Sequence, residues 1–233
     1  MAITFVQKAA TTNGSGSQTS VTCTFPGAQT AGNLIIVSVT GNSSGTDVTG
    51  VTDSKGNTYV RANLNDTFAS GPIWNTTFYA KNIAAAAAGA NTVTVALTST
   101  SSTDVRIFEF SGLDPSAPLD QTGSAHGSLG TVSSASVTTT AASELLFGSC
   151  GTAGGVSAYG TGWTGLEITS PNTDADEYQI VAATGSYAAS FTISPGGPSV
   201  VQIATFKAAS GGAVVVPPPP TILRQAVARA ASW

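Results

Sequence analysis

Charged residues are scarce in this sequence. Asp, Glu, Lys and Arg make up 9% of the 233 residues, whereas an ordinary soluble domain has about 25%. Polar surface must therefore come from Ser, Thr, Asn and Gly. Before residue 210 the chain has 12 acidic and 6 basic residues, and such an acidic body offers no positive field for phosphate backbones. We expect no nucleic-acid partner.

Long apolar runs are missing as well. None approaches the ~20 residues that a membrane-spanning helix needs, so we expect no membrane span. The N-terminus alternates like a strand from Ile3 onward and lacks the basic start and apolar centre of a secretory leader. This predicts a chain that is made without a leader.

Cysteine and histidine are nearly absent. Cys23, Cys150 and His126 are the only such residues, which argues against a zinc site, and we expect neither a metal nor another cofactor. Two interpretations of the cysteines stay open: buried thiols that act as small hydrophobes, or a disulfide formed outside the cell.

Alternation of apolar and polar residues dominates what is present. A period of two predicts β-strands, and many short strands separated by Asn-Gly, Asp-Pro and Gly-Pro turns are typical of an all-β, antiparallel β-sandwich. The alanine-rich segment 83–90 is the one helix we predict in the body. The predicted strands are 3–7, 20–25, 34–40, 58–62, 73–81, 92–98, 105–111, 135–140, 144–150, 164–168, 177–183, 188–193 and 199–207.

A faint internal repeat relates 31–41 to 142–152, and a hairpin closes each half. Two arrangements compete: two tandem small sandwiches, or one jelly-roll-like sandwich built from two related halves. We favour the single domain, because the connection 114–120 is too short and apolar for a free linker and residues 3–7 have no obvious counterpart in the second half. The predicted organisation is a body at 1–209, a Gly/Pro-rich linker at 210–220 and an anchor segment at 221–233.

The C-terminus carries the strongest signal. Pro217–Pro220 predict about 12 Å of stiff polyproline II, and helix formers follow. A helical or extended tail with an apolar stripe is suited to docking in a protein groove, with arginines that pair with carboxylates at its rim. The residues predicted to bind a partner are Ile222, Leu223, Arg224, Val227, Arg229 and Trp233.

Catalytic patterns are weak. The G-x-S-x-G match at 41–45 lacks the helix that a nucleophile elbow requires, which favours a hairpin turn. His126 lies in a glycine-rich stretch, where we expect an exposed loop residue and not a held base. The acidic run 174–177 lacks EF-hand spacing, and a solvated turn is favoured over a calcium site. We predict that the protein is not an enzyme.

Two aromatic residues are candidates for stacking on sugars. Trp163 follows Tyr159-Gly-Thr-Gly among turn residues, so an exposed ring is one interpretation and core packing is the other. Glycan binding by Trp163 and Tyr159 is thus a secondary hypothesis.

Several dispersed phrases carry a resemblance over 1–209. They are similar to a β-sandwich domain that recurs in large bacterial surface proteins and in phage virion proteins, and the resemblance implies a non-enzymatic structural or adhesive role. The phrases lie at 32–34, 51–59, 78–85, 109–115, 144–148 and 201–207.

These observations together favour a structural accessory protein on a bacteriophage virion, of the capsid-decoration or head-fibre type. Its tail would bind a capsid or other scaffold protein, and homo-oligomers are expected because sheet edges invite pairing. The alternative is a lectin-like or adhesin module of a bacterial surface or extracellular filament.

Overall fold

A computed structural model describes residues 2–13, 18–68, 71–171 and 173–210. Regular structure in these ranges consists of β-strands, and they contain no helix. The strands of the first half are β1 (Thr4–Asn13), β2 (Ser20–Thr24), β3 (Leu34–Asn42), β4 (Val48–Asp53), β5 (Tyr59–Thr67), β6 (Ile73–Ala80), β7 (Thr92–Leu97) and β8 (Thr103–Ser111).

The second half follows directly and is also built of strands. They are β9 (Leu119–Gly127), β10 (Gly130–Ser133), β11 (Val137–Thr138), β12 (Glu144–Thr152), β13 (Val156–Tyr159), β14 (Thr164–Ile168), β15 (Ala175–Val181), β16 (Ser186–Tyr187), β17 (Ser190–Ile193) and β18 (Ser199–Lys207). All named pairings are antiparallel; the predicted all-β sandwich class is confirmed.

The first half is a sandwich of two sheets. A five-stranded sheet in the order β1-β8-β3-β6-β5 packs against a three-stranded sheet in the order β2-β7-β4. Alternation places every second side chain of a strand on the same face, so Ile35, Val37 and Val39 of β3 meet Val93 and Val95 of β7 in one core.

The second half repeats this topology. Its five-stranded sheet has the order β9-β18-β12-β15-β14 and its three-stranded sheet the order β10-β17-β13, with β11 and β16 as a separate pair. The predicted internal repeat is therefore present in the fold. The prediction that the first strand has no counterpart is wrong, because β9 lies beside β18 as β1 lies beside β8. The polar sequence of β9, LDQTGSAHG, hides this strand from a search for alternation.

The two five-stranded sheets face each other. Each half has its own apolar core, and a further apolar cluster lies between the two inner sheets. In this cluster Leu34 and Phe108 of the first half pack with Leu145, Phe147 and Phe206 of the second. The body thus has four layers: the two five-stranded sheets lie inside, and a three-stranded sheet covers each of them on the outside. Both inner sheets are covered on both faces, which explains the uninterrupted burial along β3, β6, β8, β12 and β18.

The predicted helix at 83–90 is wrong. Ile83 is buried and its N–H donates to the Asn33 carbonyl at 3.1 Å, while its carbonyl accepts from the Gly32 N–H at 3.0 Å. Ala86 forms an isolated bridge with Gln29. Pairing with the segment before β3 uses the backbone groups that a helix would need, so tertiary context overrides the alanine propensity.

Candidate functional site

The contact between the two inner sheets changes character along its length. On the β8 face that points to the second half, Phe110 and Phe108 are followed by Arg106 and Asp104, all fully buried. The β3 partners change in register, and Ser38 lies opposite Arg106. One end of the interface is therefore an apolar core and the other is a buried polar network.

Arg106 is the centre of that network. Its side chain is 0% exposed, and Nε donates to Asp176 Oδ2 at 2.5 Å while Nη1 lies 3.6 Å from Asp174 Oδ2. Nη2 donates to the hydroxyls of Ser38 at 2.7 Å and Thr40 at 3.0 Å. A buried cation of the first half is thus held by two carboxyl groups of the second, as a buried charge requires.

The acidity of these carboxyl groups is strongly perturbed. Burial raises the pKa of Asp174 well above its usual range, and Arg106 lowers it only in part, because Asp104 lies close and hydrogen bonds to it. Burial also raises the pKa of Asp176 against the opposing effect of Arg106. Burial and the nearby Asp104 thus both favour the neutral form of Asp174, whereas Arg106 favours the ionised form.

The predicted solvated turn at 174–177 is wrong. Asp174, Asp176 and Glu177 are 3%, 0% and 0% exposed, because β15 is an inner strand. Glu177 points to the opposite face, where its Oε2 accepts from the Gly160 N–H at 2.8 Å and its Oε1 from the Ser190 N–H at 3.0 Å. Burial raises the pKa of Glu177 to about 7.

The acidic residues at 174–177 do not form a recognisable metal site in the part of the chain that the structure describes. Among the described residues, no group of three or more His, Cys, Asp or Glu side chains could hold a metal ion. Arg106 lies between Asp174 and Asp176, so the network is an ion cluster within the chain that contains its own cation.

An equivalent set of contacts lies beside the charged one. Gln202 of β18 is opposite Ser149 as Arg106 is opposite Ser38. Gln202 Nε2 donates to the Asn75 carbonyl at 3.0 Å, and its Oε1 accepts from Thr77 at 3.4 Å. The polar network therefore consists of two related halves, one charged and one neutral.

Arg106 is not among the candidate residues that the sequence suggests. Its partners lie some 70 residues away along the chain, and no local pattern can pair them. One signal was available: Arg106 interrupts TDVRIFEFS, a strand whose neighbouring residues are apolar and whose length fits a sheet centre. A charge in such a strand has to find a buried partner.

A small cavity lies at the polar end of the interface. Its volume is about 270 Å³, and its walls include the hydroxyl residues Thr40, Ser102 and Thr152 together with Asp174. Asp174 Oδ1 accepts from the Thr152 N–H at 2.8 Å. Asp174 thus lies between the buried network and the surface of the body.

His126 has a partner that the sequence did not suggest. It is exposed as predicted, but it lies on β9 and not in a loop, so that part of the prediction is wrong. Its Nε2 is 2.8 Å from Asp66 Oδ1 on β5. Ser124 donates to the other oxygen of Asp66. Serine and histidine bind the same carboxylate instead of each other, an arrangement unlike a Ser-His-Asp triad, and it ties the two halves together.

Three other expectations from the sequence concern the G-x-S-x-G match, the cysteines and a membrane span. The G-x-S-x-G match ends in a turn after β3, with Gly45 at φ 75°. The predicted hairpin is wrong, because β4 pairs with β7 in the other sheet and not with β3. Cys23 and Cys150 are both free and are buried in separate cores. They are therefore buried thiols and do not form a disulfide with each other. Within the described ranges, no helix has the length and apolar character of a membrane span.

The two aromatic candidates contribute to packing. Tyr159 meets Phe191 edge-on with ring centroids 6.4 Å apart, and its ring covers Gly165 so closely that a Cβ there would lie 2.1 Å from it. Trp163 is half-buried against the same core. Glycan binding by Tyr159 and Trp163 stays a prediction.

The predicted partner-binding residues of the tail lie outside the described residues, as do the polyproline spacer and the anchor segment. Comparison with protein-family models, curated proteins and solved structures finds no match for this chain. Of the resemblance to bacterial surface and phage proteins, the all-β sandwich fold alone is confirmed.

Proposed function

We propose that this protein is a non-enzymatic structural accessory protein of a bacteriophage virion, of the capsid-decoration or head-fibre type. In this proposal the sandwich body projects from the particle surface and the C-terminal segment attaches it to a capsid or other scaffold protein.

One observation carries the proposal: most ion pairs of the described body join its two halves. Arg106, Asp174 and Asp176 are buried between the inner sheets, and Asp66 with His126 and Lys8 with Glu167 also connect one half to the other. Such a locked double sandwich suits a protein that must last outside the cell, where resistance to unfolding is a matter of rate.

The tail supports the same proposal from the sequence. Four consecutive prolines separate the body from an apolar segment with two arginines, and such a run predicts a stiff spacer that would hold a binding segment away from the body. In a groove, Ile222, Leu223, Val227 and Trp233 would provide buried area, while Arg224 and Arg229 would pair at the rim.

Purified particles test the proposal directly. Particles released from the bacterium that carries the gene are isolated on a density gradient, and the ratio of this chain to the major capsid protein is measured by quantitative mass spectrometry. We expect a fixed ratio for the full chain and at least a tenfold loss when residues 217–233 are deleted.

Two full-length variants refine the test. Changing Ile222, Leu223 and Val227 to serine should remove attachment as the deletion does, whereas changing Arg224 and Arg229 to glutamine should weaken it less. A chain that is absent from particles, or that attaches equally well without residues 217–233, would refute the proposal.

A further inference from the structure

An apolar groove lies at the edge of the first half. Its volume is about 520 Å³, within the range of pockets that enclose a ligand, and its walls include Val6, Ala31, Leu113, Pro115 and Ala209. It lies where the N-terminal strand, the turn before β3 and the connection after β8 meet.

A bulge in β1 directs one side chain into this groove. The β1–β8 register shifts between Phe5 and Gln7, so Val6 is the extra residue of the edge strand. Bulges on edge strands commonly re-aim a side chain, and Val6 is left 43% exposed. Its exposure and the exposed Ala31 and Pro115 beside it show that the described residues leave the groove open.

The chain leaves the described body from the wall of the same groove. Ala208 forms a bridge with Leu113, and the Ala209 N–H donates to the Gly112 carbonyl at 2.9 Å. Ala209 lines the groove and Ser210 is the last described residue. Residues from 211 onward therefore begin at the rim of an uncovered apolar surface.

The residues that come next match this surface in chemistry. Gly211, Gly212 and Ala213 precede three consecutive valines, Val214–Val216, and the prolines start at Pro217. Two glycines allow a reversal of direction, and four residues span at most about 14 Å. Closing so short a loop costs little entropy, whereas three adjacent valines in water would be an unfavourable exposure.

We propose that Val214–Val216 bind in the groove of their own chain. The polyproline spacer then starts at a fixed point on the body, and its direction is set by the groove and not by a flexible joint. This proposal does not depend on what the anchor segment binds, so it can fail or hold independently of the virion attachment.

Disulfide trapping tests the proposal in the full-length chain. Val6→Cys and Val215→Cys are combined, and the fraction of intramolecular disulfide is measured in a glutathione buffer by peptide mass spectrometry; the native thiols are buried and do not compete. The matched control adds Val214→Ser and Val216→Ser, which keep the chain length and the position of both cysteines.

We expect the effective concentration of the two cysteines to be at least tenfold higher with Val214 and Val216 than with serine at both positions. Equal values would mean that proximity alone brings the cysteines together and would overturn the proposal. Disulfide-linked dimers that form in proportion to protein concentration would overturn it too, because a second copy would then be the occupant.

Hydrogen exchange provides a readout without cysteines. In the full-length chain, changing all three valines to serine should speed amide exchange at the groove walls around 30–33 and 112–115 at least fivefold, while the inner strands stay unchanged. Unchanged exchange at the groove walls would contradict the proposal.

Discussion

The hydroxyl oxygens of Ser38 and Ser149 lie 2.6 Å apart in the polar part of the interface between the two halves. The two serines occupy equivalent positions: Ser38 is opposite Arg106 and Thr77, and Ser149 is opposite Gln202 and Asp176. The inner sheets therefore meet as two copies of one sheet do in an isologous dimer, in which each patch contacts its own equivalent.

Arg106→Gln should destabilise the body strongly. The change leaves Asp174 and Asp176 buried without their cation, and breaking a buried ion pair by removing one partner typically costs about 3–5 kcal/mol. Urea unfolding at neutral pH measures the loss. A loss below about 1 kcal/mol would contradict the central role that we assign to Arg106.

An exposed ion pair serves as the matched control. Lys8 and Glu167 also join the halves, with Nζ 3.0 Å from Oε2, but their side chains are 41% and 23% exposed. Because exposed pairs contribute about 0–1 kcal/mol, Lys8→Gln should cost far less than Arg106→Gln.

The neutral contacts of Gln202 suggest how the loss can be repaired. Arg106→Gln combined with Asp176→Thr and Asp174→Asn copies the set Gln202, Thr77 and Asn75 from the equivalent position. We expect this triple variant to recover most of the stability that the single change removes, since replacing all members of a buried ionic cluster is often neutral or better. A triple variant as unstable as Arg106→Gln would show that the two polar sets are not interchangeable.

The strands at the sheet centres were predictable, and so were several edge strands, whereas β4, β9, β10 and β13 were missed; these four all lie at a sheet edge. Segments such as Leu34–Asn42 and Ser199–Lys207 are rich in β-branched and apolar residues, and that signal is local. Val156–Tyr159 and Leu119–Gly127 are edge strands with few large apolar residues. Their strand character depends on the neighbours that they pair with.

The interface chemistry was hidden for a different reason. A run such as Asp174-Ala-Asp-Glu is the same in a solvated turn and in a buried network, and only the distant Arg106 distinguishes them. Asp174 and Asp176 point to one face and Glu177 to the other, and this alternation becomes meaningful once both faces are known to be buried at the start of β15.

Stability should fall as the pH rises toward neutrality. Burial raises the pKa of Glu177 to about 7 in the folded chain, against about 4.3 in an unfolded one. The folded state therefore binds more protons between these values, so this stability is full below pH ~4 and is lost as the pH rises through about 7. Asp174 and Asp176, whose pKa values are also raised by burial, act in the same direction.

Chemical unfolding at a series of pH values measures this effect. We expect the free energy of unfolding to decrease by roughly 3 kcal/mol between pH 4.5 and pH 8 from Glu177 alone, and Glu177→Gln should flatten the curve between pH 6 and pH 8. A wild-type curve that rises from pH 5 to pH 8 would be incompatible with these buried carboxyl groups.

Asp53 organises the turn between β4 and β5. Its Oδ1 accepts from the N–H groups of Lys55 and Asn57, both at 3.0 Å, and its Oδ2 accepts from the side chains of Tyr59 at 2.9 Å and Asn91 at 3.1 Å. Burial opposes ionisation of Asp53, but these hydrogen bonds and one from the Asn57 side chain prevail and lower its pKa.

Asp53→Ala should therefore cost about 3 kcal/mol, because several partly buried donors lose their acceptor at once. Asp114→Ala is the control, since that carboxylate accepts from two backbone N–H groups in an exposed turn, and its loss should be clearly smaller. Thermal unfolding ranks the two variants, and an equal loss would show that the Asp53 bonds add little.

The two cysteines report on whether the halves open together. Cys23 lies in the core of the first half and Cys150 in that of the second, and burial raises the pKa of each thiol. Because the thiolate is the reactive form, a thiol reagent should label neither residue until its half unfolds.

The variants Cys23→Ala and Cys150→Ala each leave one cysteine as a reporter. The shared apolar cluster and the Arg106 network predict that the two remaining cysteines are labelled at rates within about twofold of each other, as expected of one cooperative unit. In the Arg106→Gln background the rates should diverge, because the halves lose part of the contact that couples them. If one of the two thiols, each measured in its single-cysteine variant, reacted ten times faster than the other, the halves would unfold separately. The interface would then not couple their unfolding as we infer.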